Sequence, residues 1–145
     1  MPRFLATSAL NASRYINTRP HLFIQIAEPP LPVPQRRWPT LRPEGLVASL
    51  RLSFLDAVYP SLDRSYFGTR HARRILRFVH THEDLVDTVC VHCVHGLNRS
   101  PAVAAALDFL YSGYESQRKW IERGFNPWIY AVMVREGLVI RSREP

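Results

Sequence analysis

The sequence predicts an α/β fold, a three-layer α/β/α arrangement around a central, mostly parallel sheet of four or five strands. Two observations carry that reading. Short apolar, β-branched or alternating runs, "HLFIQIA" (21–27), "LVASLRLSFLD" (46–56) and "DTVCVHC" (87–93), alternate with segments of helical period, and such alternation builds βαβ units whose parallel sheet is covered on both faces. The chain has 145 residues with 46% apolar content, which suits one domain and is long enough to bury a core without staples. Residues 1–145 are therefore read as a single domain without internal repeats.

The elements follow in order. Arg3 to Ala6 reads as a short strand, and Ser8 can cap a helix running through Leu10 and Ile16 until Arg19-Pro20 stops it. His21 to Ala27 is the second strand. A proline-rich stretch over about 28–45 shows neither helical nor strand period and is expected to pack over the domain as a loop. Leu46 to Asp56 alternates well enough for a strand ending near Asp56. In "RHARRILRFVHTH", Ala72, Ile75, Leu76 and Val79 share one helical face and Arg70, Arg73, Arg74 and Arg77 the other. The arginine stripe is read first as a solvated face and second as a surface for an acidic partner or a nucleic acid. "DTVCVHC" is the kind of run buried on both faces of a sheet. "RSPAVAAALDFLYSG" is a helix with Pro101 in its first turn and Gly113 just past its end. Two further helices are expected, "ESQRKWIERG" and "NPWIYAVMVREG", the latter opened by Asn126 and Pro127 and closed by Gly137.

Composition narrows the function classes. The formal charge is +7, and Lys119 is the only lysine among 19 basic side chains. Arginine offers a planar fork that suits phosphate and carboxylate, so anionic partners are favoured and phosphate chemistry and nucleic-acid binding both stay open. Two cysteines are too few for a disulfide framework, and the first residues lack the pattern of a signal peptide. No apolar run approaches the roughly 18 to 20 residues needed to span a bilayer. The expectation is a cytoplasmic protein without a membrane partner, whose sequons at Asn11 and Asn98 carry no sugar.

The junction "VHCVHGLNRSPAV" joins a strand to a helix, and open α/β sheets bind ligands at such strand ends. Five residues separate Cys93 from Arg99. If that backbone curls around one point, its N–H groups and the helix N-terminus form an anion cradle. Gly96 permits positive φ or a close approach midway. Arg99 adds a bidentate grip on phosphate oxygens, and the same positive field favours a thiolate at Cys93. An oxyanion loop with a thiolate at its base is a covalent phosphoryl-transfer site. The Cys-to-Arg spacing alone is weak, since arginine is so frequent here that it arises by chance about one time in four. Adding His92, Gly96 and Ser100 lowers that to the order of one in ten thousand.

"HCVHGLNRSPAV" resembles the His-Cys-x-x-Gly-x-x-Arg-Ser loop of the cysteine-based protein tyrosine and dual-specificity phosphatases. The neighbourhood from "HLFIQIA" to "NPWIYAVMV" is most similar to the small, single-domain bacterial predicted protein tyrosine phosphatases. That resemblance implies Cys93 as nucleophile on phosphorus, Arg99 as phosphate clamp, Ser100 as the hydroxyl that helps the sulfur leave, and His92 as a brace behind the loop. It implies a phosphate cradle of backbone N–H groups over Val94, His95, Gly96, Leu97, Asn98 and Arg99, with no metal and no cofactor. Asp56 fits the relatives' general acid, with Asp63 in "SLDRSYF" as its rival. Asp84 and Asp87 precede the strand that carries Cys93 and belong at its far end. His95 and Asn98 depart from the usual loop residues, and either tune the pocket or face solvent.

The expected activity is hydrolysis of phosphomonoesters through a phosphocysteine, with a phosphotyrosine protein as first-choice substrate. Three alternatives stay beside it: a phosphatase acting on RNA 5′ ends or another non-protein phosphate, a rhodanese-like sulfurtransferase, and a nucleic-acid-binding protein, which is less favoured because it leaves the loop unexplained. Cys90 and Cys93 form a literal C-x-x-C, yet no second Cys/His pair accompanies it for zinc. On a strand their Cα atoms lie roughly 10 Å apart, too far for a disulfide. Cys90 is read as a small core residue. Trp38, Trp120 and Trp128 are read as packing anchors, with Trp38 near enough to rim a pocket.

Overall fold

The computed structural model describes residues 1–30 and 32–143. Four strands, β1 (Arg3–Ser8), β2 (His21–Ala27), β3 (Leu46–Ser53) and β4 (Thr88–Cys93), form one parallel sheet in the order β1-β4-β2-β3. The helices are α1 (Ala9–Arg14), α2 (Thr69–His82), α3 (Arg99–Ser112), α4 (Arg118–Arg123) and α5 (Pro127–Ser142). The three-layer α/β/α arrangement follows from the two-residue side-chain period of the strands. Leu22, Ile24, Val89 and Val91 meet α2, α3 and α5 on one face, whereas Phe23 and Cys90 meet Ala12 of α1 on the other. β4 is an inner strand, fully buried, and its register sets Ser8 beside Cys93 and Gln25 beside His92. The loop after Cys93 is thereby enclosed by the ends of β1 and β2. No helix among the described residues is long and apolar enough to cross a membrane.

Five boundaries differ from the sequence reading, the first being β1, which runs on to Ser8 where a strand ending at Ala6 was expected. α1 stops at Arg14 instead of running through Ile16, because Tyr15 turns extended and packs its ring edge-on against His21 and Phe23. β3 ends at Ser53, three residues before Asp56. Its partner β2 ends at Ala27, opposite Ser53, and Pro29 and Pro30 then remove the N–H donors that would extend the ladder. Leu55 N–H instead donates to the Ser65 carbonyl at 2.6 Å, turning the chain into a loop. The segment expected as one helix from Glu115 is a 3-10 turn, Tyr114–Gln117, followed by the short α4. Gly137 does not end α5, which continues to Ser142. That glycine is a packing gap, since a Cβ there would lie 2.4 Å from Leu110 Cδ1.

Candidate active site

The chain from Val94 to Asn98 curls between the last residue of β4 and the first of α3. At its centre lies Cys93 Sγ, which accepts from the Gly96 N–H at 3.2 Å and the Ser100 N–H at 3.5 Å. Gly96 has φ +73°, and a Cβ there would fall 2.7 Å from the Ser8 nitrogen and the Thr7 carbonyl carbon. Both the left-handed backbone and the approach to β1 thus require glycine. The outside of the curl is tied down as well: Ala9 N–H donates to the Val94 carbonyl at 3.3 Å, and Arg123 Nη2 to the Gly96 carbonyl at 2.9 Å. Gly96 and Arg99 are buried, whereas Val94, His95, Leu97 and Asn98 present exposed side chains.

Ser100 has one hydroxyl proton and two neighbours for it. Its Oγ lies 3.2 Å from Cys93 Sγ and also 3.2 Å from the Thr7 carbonyl. With Cys93 as a thiol, S–H can donate to Oγ while the hydroxyl donates to Thr7. With a thiolate, the hydroxyl proton is the one available to the sulfur. Arg99, 5% exposed, is held by Glu28 Oε1 at 2.5 Å and donates to the Phe54 carbonyl at 3.0 Å. Its guanidinium is oriented by segments that follow β2 and β3.

His92 stands on the opposite face of β4, its Nε2 3.1 Å from Gln25 Oε1. Burial pushes its pKa down to about 4, the Cys93 backbone opposing that shift only in part, and Nδ1 makes no hydrogen bond of good geometry among the described residues. The ring is therefore neutral near pH 7. Cys90 is 1% exposed, and burial raises its thiol to about 11 against smaller opposing effects of Tyr15 and Arg3. It is a core residue, and the two cysteines of the C-x-x-C motif pack into clusters on opposite faces of the strand.

Asp56 is drawn to the same edge by two asparagines. Asn98 Nδ2 donates to its Oδ2 at 2.9 Å and Asn126 Nδ2 to its Oδ1 at 2.7 Å. Asn126, 3% exposed, also caps α5 by accepting from the Trp128 and Ile129 N–H groups, and donates to the Ala57 carbonyl. Asp63 instead shapes its own turn, its Oδ1 accepting from the Ser65 N–H at 2.8 Å. Asn98 therefore has a defined partner despite its exposure. Glu28, Gln25, Arg123 and the second role of Asn126 were missed by the sequence reading. Asn126 was visible there as a helix cap, but Glu28 lay in a loop without period and Arg123 in an expected helix to which no role was given. No group of three or more potential metal-ligating side chains occurs among the described residues.

A parallel sheet wrapped in this order, with a Cys-to-Arg loop at the end of its inner strand, has the fold of the cysteine-based phosphatases. Human DUSP28 matches with a TM-score of 0.62 and 15% identity, over 99% of this chain and 97% of its own. DUSP15 matches at 0.59 and 17% identity, over 100% and 94%. PTPMT1, in a complex with PI(5)P, matches at 0.57 and 21% identity, over 95% and 90%. At these identities the likeness is one of fold. No protein-family model matches the sequence, and no curated protein matches it.

Proposed function

We propose that this protein is a cysteine phosphatase that hydrolyses phosphomonoesters through a phosphocysteine, with phosphotyrosine in a protein as its first substrate. One observation carries the reading: Cys93 Sγ accepts from the N–H groups of Gly96 and Ser100, beside a buried arginine held by Glu28 and the Phe54 carbonyl. In the first step Sγ attacks phosphorus as the bond to the leaving oxygen breaks, and Arg99 with the loop N–H groups holds the equatorial oxygens. Asp56 gives the leaving oxygen its proton. In the second step water attacks phosphorus, its proton passes to Asp56, and the S–P bond breaks with the Ser100 hydroxyl donating to the departing sulfur. Asp56 is preferred to Asp63 because it bonds to a member of the loop, Asn98, whereas the Asp63 carboxylate serves a local turn. Two free thiols suit a reducing compartment such as the cytoplasm.

The test is hydrolysis of an aryl phosphate by wild type, Cys93→Ser and Asp56→Asn. Cys93→Ser should lower turnover on the order of 10³-fold or more, and Asp56→Asn should depress kcat while substrate still binds. Full activity of Cys93→Ser, or sulfur transfer from thiosulfate without phosphate release, would show the reading to be wrong. If Asp63→Asn rather than Asp56→Asn lowers kcat, only the acid is reassigned.

A further inference from the structure

A cavity of about 430 Å³ opens between α2 and the C-terminal ends of α3 and α5. Leu110 in its wall stands eleven residues beyond Arg99 on α3, roughly 16 Å along the axis. The cavity is therefore separate from the loop around Cys93. Leu76, Leu110, Tyr111 and Ile140 supply its apolar surface, and Gly137 adds no side chain of its own. Around them stand Arg73, Arg77, His80, Arg141 and Arg143, and no carboxylate among the described residues lines the cavity. Two of these cations have partners outside it: Arg73 Nε lies 3.7 Å from Glu136 Oε1, and His80 Nδ1 lies 3.3 Å from Glu83 Oε1. Arg77, Arg141 and Arg143 take part in no side-chain ion pair or hydrogen bond among the described residues.

Arginines at the end of α5 offset the helix dipole, and those on α2 suit a solvated face, but neither role accounts for an apolar recess between them. Arg73 and Arg77 flank Leu76 at neighbouring helical positions, so the cations rise around apolar surface instead of standing apart from it. Such a recess is complementary to an anion with an aliphatic chain: the chain leaves water and the head meets guanidinium groups. Size disfavours a docked helix. One helical turn, about 10 Å across and 5.4 Å long, fills on the order of 400 Å³, so the cavity accepts a single turn, whereas a groove-bound helix sets its anchors over two turns or more. A methylene fills roughly 30 Å³, as a water does in the liquid, so the same space takes a chain of about a dozen carbons. We propose that this cavity binds a single-chain anionic amphiphile, its chain against Leu76, Leu110 and Ile140 and its head group on Arg77 and Arg141.

Dodecanoate below its micellar concentration is the probe, followed by the amide resonances of the whole chain. It should move those of Leu76, Leu110, Gly137 and Ile140, and bind on the order of tenfold more tightly than decanoate, the scale of two buried methylenes. Acetate, which has the head without the chain, and dodecyltrimethylammonium, which has the chain with the opposite charge, should leave them in place. Arg77→Ala/Arg141→Ala should keep the dispersed spectrum of wild type and bind dodecanoate roughly tenfold more weakly, the scale of one charge-assisted contact. If the double variant loses that dispersion, Arg141→Ala alone is held to the same criterion. Unmoved resonances, shifts spread over the whole molecule, equal binding of the cationic chain, or an affinity unchanged by the substitution would each overturn the proposal. Vesicles of phosphatidylcholine and phosphatidylglycerol then distinguish the source of the ligand. Co-sedimentation that wild type shows and the variant loses assigns the head group to a bilayer lipid, and dodecanoate binding without co-sedimentation assigns it to a free amphiphile.

Discussion

The hydroxyl proton of Ser100 links the sulfur of Cys93 to the end of β1, since Oγ is equidistant, at 3.2 Å, from Cys93 Sγ and the Thr7 carbonyl. Behind that pair, His92 is held neutral by burial. Its folded pKa of about 4 lies below the ordinary value of 6.5. Between those values the unfolded ring takes up a proton that the folded ring refuses, so its stabilising contribution is complete above pH 6.5 and is lost as pH falls to 4. The loss is on the order of 3 kcal/mol. His92→Asn, which does not titrate, should therefore lose less stability than wild type between pH 7 and pH 4 when both are unfolded in urea; parallel losses would remove His92 as the cause. The types of residue in the loop were legible because each has a chemical reason to be there. The tautomer-fixing partner of His92 was not, because Gln25 is a lone glutamine on another strand.

Among the elements, α5 shows how a local signal can be outvoted. Glycine after an apolar helical run reads as a C-cap, yet α5 runs on for five residues past Gly137 to Ser142 because the missing Cβ admits the Leu110 side chain. Gly137→Ala gains helix propensity of about 1 kcal/mol but overfills the α3–α5 contact, which typically costs about 1–3 kcal/mol. The variant should be less stable by roughly 1 kcal/mol in chemical denaturation. In a Leu110→Ala background the same change should be neutral or stabilising, and destabilisation in both backgrounds would refute the packing account. β3 teaches a similar lesson. Its alternation continues to Asp56, but the ladder depends on a partner, and β2 supplies none beyond Ala27. The loop that follows is what carries Asp56 to Asn98 and Asn126.

Taken whole, the molecule assembles its site from every strand end. β1 brings Thr7 and Ser8, the segment after β2 brings Glu28, the segment after β3 brings Phe54 and Asp56, and α5 brings Asn126. A cradle built this way should transmit anion binding to global stability. Inorganic phosphate at about 100-fold above its dissociation constant should stabilise the fold by about 2.7 kcal/mol, read as a rise in Tm, and Arg99→Ala should abolish that rise. An equal rise in Arg99→Ala would place the bound anion elsewhere.

The α/β class, the loop from Cys93 to Ser100 and the helix with Pro101 in its first turn were all readable in the chain, because periodicity, caps and the spacing of one loop are properties of neighbouring residues. Which strand ends where, which aspartate meets the loop, and which groups hold Arg99 and His92 were decided only by the folded sheet. Those partners are separated by 42 to 93 residues. A contact at that distance depends on strand order and register, which place Ser8 beside Cys93 and Gln25 beside His92, and no local pattern records it.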